Sequence, residues 1–155
     1  MKFLFQKLRT GKYDRLVVER DGRREEVPCP KIGGISHDMV HFAVENVMRM
    51  RGYLRKVAAG EALSQRMTPD VESDQMERLV EVMQADANSG FPEPVDLIAM
   101  YRVTCDARGV VPFNLTTPDI AAIRAEMRRL EKLWDATAPG STLALSFDDM
   151  HEHAR

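Results

Sequence analysis

Over the first thirty residues apolar and polar side chains alternate, and from Ser36 onward the apolar ones recur every three or four positions. In KFLFQKL, Phe3 and Phe5 take every second place, the period of a strand with one buried face. Gly11 interrupts that run, and RLVVERDGRREEVP then supplies two extended segments around Asp21-Gly22. An Asp-Gly pair tolerates the positive φ angles of a tight turn, so these two segments are expected to form a hairpin. Pro28 and Pro30 end the strand-forming part, expected over residues 1–30, and Gly33-Gly34 make a joint.

The helical period then predicts one helix from Ser36 to about Ala59, with Val40, Ala43, Val44, Val47, Met50, Leu54, Val57 and Ala58 on its apolar stripe. Ser36 is a suitable N-cap, Asp38 sits near the positive end of the helix dipole, and Gly60 is the expected stop. Phe42, Met48 and Tyr53 fall off the stripe, so this helix is expected to be covered on more than one side, by other helices or by a second copy. Thr68-Pro69-Asp70 and Thr117-Pro118-Asp119 each offer a capping hydroxyl, a proline at the first helical position and an acid in the first turn. The second of these opens a helix of about 118–136 with a stripe of Ile120, Ile123, Met127, Leu130 and Trp134. Its other face, with Arg124, Arg128, Arg129, Glu131 and Lys132, is expected in solvent. A further helix is opened by Pro94 and runs through Leu97, Ile98 and Tyr101 toward Gly109.

After this helical part, residues 36–137, period two returns: Leu143, Leu145 and Phe147 alternate with Thr142, Ala144 and Ser146. A lone strand is not stable, so residues 141–147 are expected to pair with the N-terminal hairpin region, leaving residues 148–155 as a tail. The expected fold is a single α+β domain, about four helices packed with a small antiparallel sheet.

Composition narrows the function classes. The 155 residues suffice for one core, and 44% apolar with 30% charged residues fits a folded chain. A net charge of −2 gives no global attraction to nucleic acid or anionic lipid. MKFLFQKLRTGKYDR has no apolar stretch of export-signal length, and no run approaches the roughly 18 apolar residues of a membrane span. Cys29 and Cys105 lie far apart without a CxxC neighbour, as expected of reduced thiols, so a cytoplasmic location and no membrane partner are expected. Arg49, Arg51, Arg55 and Lys56 around Tyr53 are the nearest approach to a nucleic-acid patch, yet they spread around the helix like a solvated face. The serines lack a nucleophile elbow, Gly33-Gly34 lacks a phosphate-loop fingerprint, and Cys29 with His37 as base has no spacing that sets it apart from a buried thiol. Ten methionines suit core filling, and some suit an adaptable surface for a protein partner or self-association.

Candidate chemistry concentrates in SHDMVHFAVE. His37, His41 and Glu45 stand four apart, on one edge of the apolar stripe. Two imidazoles at i and i+4 chelate one Zn²⁺ or a similar divalent ion. The zincin motif has a general-base glutamate where this chain has Asp38, and the downstream Gly and His of its extended form are missing, so no membership follows. Three ligands along one helix would span roughly 12 Å, too far for one ion. Completion is therefore expected from elsewhere, with His151 and His153 beside Asp148, Asp149 and Glu152 as the other candidates. The bland alternative is an ordinary helix start plus a solvated tail. Two expectations result: a non-catalytic interaction or small-ligand-binding domain, or a divalent-metal-binding protein, in one form a hydrolase, built on His37 and His41.

Overall fold

The alternating N-terminal segments form three strands, β1 (Phe3–Gln6), β2 (Tyr13–Arg20) and β3 (Arg23–Pro30). The computed structural model describes residues 1–63, 70–90 and 93–147. Asp21 (φ 50°) and Gly22 (φ 72°) make the β2–β3 turn, as the Asp-Gly pair predicts. A fourth strand, β4 (Thr142–Leu145), pairs antiparallel with β1, so the sheet order is β3-β2-β1-β4. The C-terminal strand thus returns to the N-terminal strands, with Phe5 opposite both Leu16 and Leu143. Phe3, Phe5, Leu16, Val18 and Leu145 join the core. Pro28 and Pro30 lie within β3, on the edge of the sheet, the place where a strand tolerates a missing N–H.

The helical part differs from expectation at one decisive point. Instead of one helix to Ala59, the chain forms α1 (His37–Met48) and α2 (Tyr53–Ala58), separated by Arg49–Gly52. Ser36 caps α1 through its side chain, as expected, but Arg49 turns left-handed (φ 57°) and its N–H closes on the Glu45 carbonyl. Arg-Met-Arg are good helix formers, so the local signal for a break is Gly52, and the left-handed turn comes three residues before it. The break is compensated by Glu45, whose side chain receives the backbone of the new helix.

Three more helices follow: α3 (Val71–Ser89), α4 (Pro94–Ala107) and α5 (Thr117–Asp135). Asp70, not Thr68, caps α3, accepting from the Ser73 N–H at 2.8 Å; Thr68 and Pro69 lie outside the described residues. Helix α5 starts one residue earlier than expected, with Thr116 and Asp119 forming a reciprocal capping box. Its stripe of Ile120, Ile123, Met127, Leu130 and Trp134 is buried as predicted. Arg124 is a correction: it makes a two-pronged pair with Asp86 of α3, both contacts at 2.9 Å, and does not simply face water. Every residue from Met39 to Asn46 of α1 is buried, because sheet, α3 and α5 all pack around this helix. That explains its off-stripe Phe42, which meets Phe3 edge-on and stacks on Phe147 at 4.8 Å.

Candidate metal centre

Helices α1 and α3 run antiparallel. The loop before α1 lies near the end of α3, His41 meets Glu77, and Glu72 accepts the N–H of Arg51 beyond the α1 terminus. One helical turn sets His37 and His41 on the side of α1 that faces α3, their rings edge to face with centroids 4.9 Å apart. Glu77 completes the group: one ligand atom from each of His37, His41 and Glu77 lies within 4.8 Å of the others. His41 Nε2 is 3.2 Å from Glu77 Oε2, and His37 Nε2 is 3.9 Å from Glu77 Oε1. A tetrahedral zinc with bonds of about 2.0–2.1 Å separates its ligand atoms by about 3.3 Å, so the first pair already stands at ligand spacing. His37, whose side chain is 47% exposed, has the freedom to close the second gap.

His41 is the fixed point of the group. It is buried, with Nδ1 3.3 Å from Glu45 Oε2 and Nε2 directed at Glu77. Burial alone would depress its pKa, but the hydrogen bonds and charges of Glu45 and Glu77 outweigh that and push it up to about 10. Without a bound cation, then, His41 is an imidazolium held between two carboxylates. The same pairing works on Glu77: burial would raise it, and the His41 contact holds it below the usual carboxylate range. The Tyr53 ring meets His41 edge-on at 5.7 Å, and its hydroxyl donates to the Leu63 carbonyl at 2.5 Å.

Glu45, expected among the ligands, has a different place. Its carboxylate is fully buried and accepts from Gly52 N–H (3.2 Å), Leu54 N–H (3.1 Å) and Arg55 N–H (2.8 Å) as well as facing His41. It therefore stands behind the imidazole, on the nitrogen opposite the ligand cluster. His151 and His153, with Asp148, Asp149 and Glu152, lie outside the described residues. Asp38 does not join the group either: it accepts from the Cys29 thiol at 3.3 Å, and burial followed by that carboxylate's charge pushes the thiol's pKa up. The basic cluster is largely spent on structure. Lys56 is buried against Asp70 and Ser73, and Arg55 donates to the Glu45 carbonyl and lies over the Phe147 ring.

Sequence reasoning missed Glu77. The signal was there in the period of α3: Ser73 and Val80 are buried, and Glu77, four residues after one and three before the other, is an acid on that same strip. No known protein family, curated protein or solved structure matches this chain.

Proposed function

We propose that the protein binds a divalent transition-metal ion through His37 Nε2, His41 Nε2 and Glu77. The observation that carries this reading is the orientation of His41. Its Nδ1 is backed by a buried carboxylate while Nε2 points into the cluster, the carboxylate–histidine–metal arrangement that fixes a ligating imidazole. Two imidazoles and one carboxylate favour Zn²⁺ and similar borderline ions over Mg²⁺ or Ca²⁺, which prefer all-oxygen shells. Two carboxylates beside the cluster, Glu45 and Glu77, balance the charge of a dication. Three protein ligands leave a fourth position for water or a small anion. A hydrolytic role draws no support from Asp38, which is engaged with Cys29. The reading therefore stops at binding.

Isothermal titration of the untagged protein with Zn²⁺ tests it. One ion per chain is expected, with binding lost in H41A and strongly weakened in H37A and E77A. No uptake by the native chain would end the proposal.

A cleft of about 310 Å³ supports the second reading, small-ligand binding. It lies between Gly33–Ile35, the end of α3 and α5, and is lined by the Asp86–Arg124 pair and by Gln84, whose buried Oε1 has no hydrogen-bond partner among the described residues. A thermal-shift screen tests this: a compound that raises Tm in the native chain and equally in Q84L binds elsewhere. A cytoplasmic setting is supported by the free, buried thiols of Cys29 and Cys105, and among the described residues no helix is long and apolar enough to cross a membrane.

A further inference from the structure

The buried carboxylate of Glu45 serves two elements at once. Oε1 accepts from the Gly52 and Arg55 N–H groups, and Oε2 accepts from Leu54 N–H and lies on His41 Nδ1. Gly52 makes room for it: a Cβ there would lie 2.6 Å from Glu45 Cδ. We infer that Glu45, seated against Gly52, is the positioning residue of the metal centre, keeping the proton on His41 Nδ1 and leaving Nε2 as the ligating nitrogen. This rests on the metal-binding reading and adds to it what enforces the choice of Nε2.

The hydrogen-bond inventory gives the reason. A carboxylate can only accept, so without an ion both Nδ1, facing Glu45, and Nε2, facing Glu77, carry hydrogen. When a cation enters the cluster Glu77 serves the ion, so the Nε2 proton is the one displaced, while Glu45 keeps the proton on Nδ1 and the lone pair stands on Nε2. The three N–H groups at the start of α2 hold the carboxylate in place, so it cannot swing away when a cation enters the cluster. In E45Q the balance reverses. An amide nitrogen placed toward Gly52 and Arg55 would meet two N–H donors. Placed toward Leu54 and His41 it meets one, and this orientation wins. The amide then donates to Nδ1, the proton moves to Nε2, and a cation binds there only at the cost of that amide contact.

The test uses the full-length protein labelled with ¹⁵N and loaded with ¹¹³Cd²⁺ as a spectroscopic substitute for zinc. In the native protein, cadmium coupling to His41 Nε2 with a protonated Nδ1 is expected, and coupling to Nδ1 overturns the inference without any variant. For zinc affinity measured by chelator competition, E45Q is expected to weaken binding by about 10–100-fold. G52A, which leaves every ligand intact but displaces the carboxylate, is expected to weaken it in the same direction and less. Circular dichroism checks that each variant is folded; should E45Q not fold, G52A and the native spectrum decide. Affinity unchanged in a folded variant, with Nδ1 still protonated, refutes the positioning role while leaving the metal site standing. Failure of the native protein to bind either ion refutes the metal reading itself.

Discussion

Helices α5 and α2 start in opposite ways. At α5 the cap is local: Thr116 and Asp119, three residues apart, satisfy each other's backbone N–H groups at 3.3 and 3.0 Å. At α2 the capping carboxylate comes from Glu45, seven residues before Gly52 and in a different helix. The first device needs only its own few residues and works at the surface. The second needs α1 already packed, removes a charge from water, and binds His41 to the same carboxylate. A cap borrowed from a neighbouring helix is thus a joint: it fixes the angle between two elements and the orientation of whatever else touches the carboxylate.

The largest expected effect separates the two directly. E45A strips three backbone N–H groups of their acceptor and leaves His41 with one carboxylate, which should cost about 3–5 kcal/mol, as when one member of a buried charge pair is removed. T116A removes only a capping hydroxyl and should cost about 1 kcal/mol. Urea unfolding of both variants measures the gap, and equal losses would break the distinction.

A second, intermediate effect is pH-dependent. The pKa of His41 rises on folding from 6.5 to about 10, so its contribution to the stability of the metal-free protein is complete below 6.5 and is lost as pH climbs through about 10. Glu77, held low, adds stability that is present above the ordinary carboxylate range and is lost in acid. The stability difference between the native protein and a His41→Gln variant should therefore shrink from pH 6.5 to pH 10. The difference for T116A should stay flat over the same interval. A flat His41 difference would mean that the imidazole is not charged between its two carboxylates.

Local rules explain what was legible. The Asp21-Gly22 hairpin, the Ser36 cap, the α5 stripe and the return of the C-terminal strand each follow from a short period, a turn preference or the instability of a lone strand. The spacing of His37 and His41 was equally readable, because one helical turn brings them together. The break after Met48 and the arrival of Glu77 were not, since both depend on how α1 meets α2 and α3. Glu45 shows the limit most sharply. Its i, i+4 relation to His41 marked it as a site residue, but only the packed corner at Gly52 shows that its carboxylate lies behind the imidazole, on Nδ1 and not among the ligand atoms.

The two prolines of β3 have a consequence for association between molecules. With the turn at Asp21-Gly22 and Arg20 opposite Arg23, the β3 backbone nitrogens that point away from β2 are those of Arg24, Glu26, Pro28 and Pro30. Two of these carry no hydrogen, and the other two belong to charged residues of opposite sign. An incoming strand would find half of the donors it needs and would have to desolvate ions to reach them. The longer rim of this sheet is thereby closed to zippering.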